Sequence, residues 1–126
     1  MDTSYEPNPD GEPDPGEVVW AWVAYEDDPA QGKDRPVLLV GRDGDDLLGL
    51  QLTSKDHDRD AEDEARHGRY WMDVGSGDWD RERRDSEVRL DRLLRLREAD
   101  VRREGAAMPR EMFEQVVVAA CEHHAL

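Results

Sequence analysis

Apolar and polar positions alternate along most of this chain, and the alternation predicts strands. Glu17–Ala24 (EVVWAWVA) places Val18, Trp20 and Trp22 on one face and Val19 and Val23 on the other. Apolar side chains on both faces mark a strand covered on both sides. Arg35–Gly41 (RPVLLVG) starts a second strand, with Pro36 at a first position where no ladder donor is needed. Asp43–Gly44 is a hairpin signal, and Asp46–Ser54 (DLLGLQLTS) reads as the third strand. Arg69–Val74 is a fourth. In Glu87–Leu94 (EVRLDRLL), Val88 and Leu90 point inward and Arg89 and Asp91 outward. Leu93 and Leu94 break that period, which predicts a bulge or strand end near Arg92. The period then changes. Met112, Phe113, Val116, Val117 and Ala120 form one helical stripe within Met108–Glu122, and Pro109 suits the first turn.

The remaining segments read as connections. Residues 1–16 (MDTSYEPNPDGEPDPG) have too little apolar surface to fold and are expected to be a disordered acidic arm. Tyr25–Asp34 is a loop, Lys55–Gly68 is a strongly acidic loop, and Gly75–Trp79 is a turn with an aromatic anchor. About five short strands followed by one helix predict a mainly β (α+β) domain over 17–122, with a short tail at 123–126. The expected architecture is a small antiparallel barrel with helical cover. Nothing shows the helix–strand alternation that a doubly wound sheet needs.

Composition narrows the function. The 126 residues carry a formal net charge of −15, which argues against a generic basic nucleic-acid binder and against a polybasic membrane-surface protein. There is no long apolar run to span a bilayer. Met1–Gly16 lacks the basic start and apolar core of a secretory signal, so a cytoplasmic location is expected. The single Cys121 excludes an internal disulfide framework. The charge is uneven, however. Residues 1–80 hold 22 acidic and 7 basic residues, whereas 81–126 hold 10 of each, and every base in that second part is Arg. Arg suits bidentate contact with phosphate or carboxylate. With 15 Arg against 2 Lys overall, GC-rich coding is an equally good account of most of them.

Five local constellations carry candidate chemistry. Arg89 and Asp91 share a strand face about 7 Å apart, so they suit either an acid–base pair or a surface ion pair. Thr53–Ser54 end an apolar strand, where hydroxyls bind phosphate oxygens or cap a turn. Arg35 stands at the mouth of a buried strand. Asp56-His-Asp58-Arg-Asp60 imitates the start of a calcium loop, but Ala61 and His67 occupy the positions that need Gly and Glu. Cys121-Glu-His123-His124 has no standard zinc spacing, so a frayed helix end is favoured over half a metal site completed by His57 or His67. No Walker loop, GxGxxG, HExxH or nucleophile elbow is present.

In order, GEVVWAWV, the Gln-Gly loop AQGKD, RPVLLV, LQLTS and EVRLDRLLRL resemble the PemK/MazF family of toxin–antitoxin ribonucleases, from about Gly16 to Cys121. The resemblance implies an SH3-like antiparallel β-barrel that forms a homodimer around a groove for single-stranded RNA. It implies metal- and cofactor-independent mRNA cleavage at short motifs, leaving a 2′,3′-cyclic phosphate. It also implies a cognate antitoxin with an acidic disordered tail, and neither a membrane nor DNA as direct partner. Arg35 and Thr53 match the family's active-site Arg and Thr, and Ser54 the neighbouring hydroxyl that contacts substrate. Arg89 and Asp91 match the acid–base pair of the PemK/Kid branch, with Asp91 the base. Gln31, Lys33 and Trp79 complete the expected substrate-binding set. Dimer formation would account for the apolar Trp20, Trp22, Leu93 and Leu94. Two departures stand out: the branch's loop His is replaced by Asp27-Asp28-Pro29-Ala30, and the loop after Ser54 is longer and more acidic. They support an alternative, a non-catalytic toxin-like module that binds a protein partner.

Overall fold

The computed structural model describes residues 14–54, 66 and 68–124. Most of the expected arm (1–13), the acidic loop 55–65 with His57, and His67 lie outside the described residues. Six strands and one helix follow in order: β1 (Glu17–Ala24), β2 (Gly32–Asp43), β3 (Asp46–Thr53), β4 (Trp71–Gly75), β5 (Ser86–Leu96), β6 (Val101–Ala107) and α1 (Arg110–Ala120). All pairings are antiparallel, in the sheet order β4-β5-β3-β2-β1-β6.

The strands carry two cores, one on each face of the sheet. Val18, Leu38, Val40, Leu48, Leu50, Leu52, Val88 and Leu90 face α1, which covers them with Phe113, Val116 and Ala120. Alternate positions, Val19, Ala21, Val23, Val37, Leu39 and Leu47, build a second core with Leu94 and Leu96. The period-2 geometry of strands makes both cores from one ribbon of sequence. The second core exists because the sheet curls. A flat sheet would hold β5 and β6 four strand spacings apart, about 19 Å at ~4.8 Å each. The five steps from Leu96 to Val101 reach about 17 Å when fully extended. That link contains a tight 3₁₀ turn at Glu98–Asp100, and Val101 packs against the same core as Leu96. Among the described residues no ladder joins β4 to β6, so the sheet is curled but open rather than a closed barrel. Side chains bridge part of the seam: Trp20 Nε1 donates to the Trp79 carbonyl at 3.0 Å.

Three details refine the sequence reading. β2 begins three residues before Arg35, and Pro36 is tolerated because β3 joins β2 only from Val37 onward. The β2–β3 hairpin turns through Gly44 and Asp45, with Gly44 at φ 62°, which Gly adopts without strain. β6 was not expected, since VRREGAA has no apolar alternation. As an edge strand paired to β1 alone, it needs none, and its charges suit an edge. Asp14–Gly16, assigned to the arm from sequence, are tied to the sheet: the Gly16 amide donates to the Leu39 carbonyl, and Arg42 pairs with Asp14 at 3.2 Å. No described helix is long and apolar enough to cross a membrane.

Three of the four apolar residues assigned to a dimer contact serve packing within the chain. Leu94 is buried in the second core, Leu93 packs against the first, and Trp20 bonds to Trp79. Only Trp22 of that set is exposed.

Candidate active site

A bulge in β5 builds the site. Leu52 pairs with Val88 and Leu50 with Leu93, so β3 spends one residue where β5 spends four, Arg89–Arg92. The disruption falls where the broken period of Leu93 and Leu94 predicted it. The extra residues leave β3 and lie against β4 and the β1–β2 loop. Trp71 pairs with Arg89, and the Leu90 amide donates to the Tyr70 carbonyl at 2.8 Å.

Arg89 and Asp91 meet directly. Arg89 Nη2 donates to Asp91 Oδ2 at 2.8 Å, and Nε reaches both carboxylate oxygens at 3.1 Å. Asp91 Oδ1 also accepts the Tyr70 amide at 2.8 Å. The two side chains are only 7% and 12% exposed. Burial opposes the charge of Asp91, but the hydrogen bonds from Arg89 and the Tyr70 amide outweigh it and hold its pKa below the ordinary carboxylate value. Burial likewise opposes the charge of Arg89, and its bonds to Asp91 and Glu26 more than offset it. Glu26 enters from the β1–β2 loop, its Oε2 2.8 Å from Arg89 Nη2.

Two more arginines converge on the same end of β1. Arg92 Nη2 donates to the Ala24 carbonyl at 2.9 Å. Burial lowers the pKa of Arg35; the Tyr25 hydroxyl opposes this and the charge of Arg92 adds to it. Among the described residues neither Arg35 nor Arg92 belongs to an ion pair. Two neighbouring cations, one of them partly desolvated and neither offset by a carboxylate, are poised for an external anion.

The other expected residues are placed as follows. Thr53 pairs with Glu87 at the end of β3, two residues beyond Gln51, whose partner Val37 lies two residues beyond Arg35. Arg35 and Thr53 therefore stand level on adjacent strands, and Ser54 is exposed just past the strand end. Gln31 closes the β1–β2 turn through its backbone, accepting the Tyr25 amide at 2.8 Å. Gln31 and Lys33 expose their side chains, and among the described residues these form no hydrogen bond or ion pair with the arginine cluster. Between them, Gly32 passes so close to Val23 and Trp22 that a Cβ would overlap the Val23 carbonyl. Trp79 is not a surface for substrate. It is 4% exposed in the core against α1, with Nε1 donating to Ser86 Oγ at 3.2 Å.

Sequence reasoning missed Glu26, Arg92 and the histidines. Glu26 is one acid among several in its loop, without a local signal. Arg92 carried one, because the predicted bulge sits on it. His123 and His124, read as a frayed end, instead fold back onto β5. His124 Nε2 donates to the Leu90 carbonyl at 2.9 Å, and the His123 and Tyr70 rings lie 4.8 Å apart. Among the described residues no group of three or more His, Cys, Asp or Glu has the geometry to hold a metal.

An open, curled antiparallel sheet with one covering helix and an arginine-rich bulge defines a small, mainly β domain. The chain belongs to the PemK-like, MazF-like toxin family of type II toxin–antitoxin systems, whose family model matches residues 14–123. No curated protein sequence matches it. Solved structures share its fold, among them two MazF toxins. The MazE–MazF structure from Deinococcus radiodurans superposes with a TM-score of 0.61 at 17% identity, covering 90% of this chain and 96% of that one. Mycobacterium tuberculosis toxin MazF-mt6 superposes with a TM-score of 0.55 at 16% identity, covering 87% of this chain and 97% of that one.

Proposed function

We propose that this protein is a toxin that cleaves single-stranded RNA at short sequence motifs, acting as a homodimer and restrained by an antitoxin with an acidic tail. The observation that supports it most is the arginine cluster: Arg35 and Arg92, without ion pairs among the described residues, beside an Arg89 oriented by two carboxylates. In this reading Arg35 and Arg92 seat the scissile phosphodiester, with the Thr53 and Ser54 hydroxyls at its side. Arg89 stabilises the negative charge that grows on the non-bridging oxygens. A carboxylate of the cluster removes the proton from the ribose 2′-OH. The 2′-oxygen bonds to phosphorus, the bond to the 5′-oxygen breaks, and the products are a 2′,3′-cyclic phosphate and a 5′-hydroxyl. Three guanidinium groups supply the positive charge, so no metal is required. An acidic antitoxin tail offers carboxylates to the same arginines.

The test incubates the folded protein with a long single-stranded RNA in the presence of a chelator. Discrete cuts that disappear in Arg89→Ala and Asp91→Ala are expected. A folded protein that binds RNA or a protein partner and leaves the RNA intact at low salt would be the non-catalytic module instead.

A further inference from the structure

Resting on the RNA-cleaving reading above, we propose that His124, with His123 beside it, is a positioning residue: it caps the Leu90 carbonyl and so leaves the Tyr70 amide to Asp91. Where two antiparallel residues form a hydrogen-bonded pair, each amide donates to the other's carbonyl. Tyr70 and Leu90, one step beyond the Trp71–Arg89 pair, make only half of this exchange. The Leu90 amide donates to the Tyr70 carbonyl at 2.8 Å, but the Tyr70 amide turns to Asp91 Oδ1, also at 2.8 Å. The Leu90 carbonyl thereby loses its β4-side partner. β3 offers it none, because that ladder skips Arg89–Arg92. Leu90 is buried, and a buried backbone carbonyl needs a donor. His124 Nε2 supplies it at 2.9 Å. A carbonyl only accepts, so this ring nitrogen carries the hydrogen.

The histidines act from a firm footing. Phe113, Val116 and Ala120 fix α1 in the first core, which Leu90 itself joins. Past Ala120 the chain closes into tight turns, with the His123 and His124 amides both donating to the Ala120 carbonyl at 2.9 and 3.0 Å. That turn brings both imidazoles to β5. His123 lies against the Tyr70 ring, centroids 4.8 Å apart and planes tilted by 39°. One histidine thus holds Tyr70 by its ring, and the other holds Leu90 by its carbonyl. The consequence falls on Arg89. Asp91 takes the Tyr70 amide on Oδ1 and Arg89 Nη2 on Oδ2, so the amide fixes the carboxylate that fixes the guanidinium. Without His124 the Leu90 carbonyl is left for the Tyr70 amide to return to. The ordinary strand pair then closes, and Asp91 loses one of its two anchors.

The experiment has two arms, run on wild type, His124→Ala, His124→Gln, His123→Ala and His123→Phe. In the first, NMR follows the titration of the Asp91 carboxyl with no RNA present. His124→Ala should raise the Asp91 pKa toward the ordinary carboxylate value, because the Tyr70 amide is one of the bonds that lower it. In the second, single-turnover cleavage is measured beside affinity for the same RNA blocked at the 2′-oxygen of the cut site. His124→Ala should slow cleavage by about tenfold to 100-fold, the effect of a small misplacement at a reacting centre. Its affinity should stay within a few-fold of wild type, because Arg35 and Arg92 keep their places. His124→Gln, whose amide nitrogen can donate to the same carbonyl, should restore both the pKa and most of the rate. His123→Ala should act in the same direction but less, and His123→Phe, which keeps a ring on Tyr70, should recover part of the loss. An Asp91 pKa that does not move in His124→Ala overturns the proposal. A lowered thermal midpoint and rate without that shift would mean that the histidines only help to hold α1. If wild type itself leaves the unblocked RNA intact, the RNA-cleaving reading falls and the effect on cleavage with it, while the NMR arm alone still decides whether His124 sets the surroundings of Asp91.

Discussion

Arg35, Arg89 and Arg92 carry the same charge yet stand in different electrostatic situations. Arg89 is matched by two carboxylates, whereas the other two are matched by none among the described residues. Removing one unmatched guanidinium should therefore harm binding rather than folding. Arg35→Ala should weaken RNA affinity by roughly tenfold or more, the worth of a charge-assisted hydrogen bond, with little change in thermal midpoint. Filter binding and thermal denaturation of the same preparation check both halves. Asp91 behaves in the opposite way. Its folded pKa lies below the usual value because Arg89 and the Tyr70 amide bond its charged form more strongly than burial penalises it. The pair's contribution to stability is full above the ordinary carboxylate pKa and is lost as the pH falls through the lowered, folded one. Urea unfolding at pH 7 and at pH 3 should show a smaller loss on acidification in Asp91→Asn than in wild type. An equal loss would mean that other carboxylates carry the acid sensitivity.

At the scale of elements, alternation was the readable signal, and it failed only where the fold does not need it. β1, β3 and β5 have apolar residues in both cores, so both phases of their alternation are under constraint. β6 pairs along one edge only and was invisible as VRREGAA. The helical stripe was legible because α1 has one core to cover, and Phe113 is its largest buried side chain. Phe113→Ala should cost about 3–5 kcal/mol in chemical denaturation, as aromatic deletions from cores do. Gly32 is a different case. A methyl group there meets backbone and the Trp22 ring, so Gly32→Ala should destabilise by about 1–3 kcal/mol, the range for overpacking. Because it would also shift the loop that carries Glu26, cleavage should fall further than stability. A Gly32→Ala protein as stable as wild type would show that β1 and β2 separate there at no cost.

For the whole molecule the charge of −15 and the arginine cluster act on different length scales. The net charge repels RNA at a distance, while the cluster binds phosphate on contact. With three arginines on phosphate, the slope of log affinity against log salt should be about −2 for a single strand, and repulsion makes it no steeper. A titration with a slope near −4 would reveal phosphate contacts beyond Arg35, Arg89 and Arg92.

The chain order of residues determined the class of this protein by itself. Alternation specifies strands, a 3.6-residue stripe specifies the helix, and the Arg-x-Asp pair and the bulge beside it are local in sequence, so short-range geometry makes them legible. The tertiary structure decided what those residues meet. Glu26 is 63 residues from Arg89 and reaches it only because the bulge pushes β5 toward the β1–β2 loop. Trp79 turned inward because its ring packs in the core that α1 covers, while Trp20 of β1 donates to its carbonyl. Contacts of that separation depend on how far the sheet curls, a property of all six strands together that no segment contains.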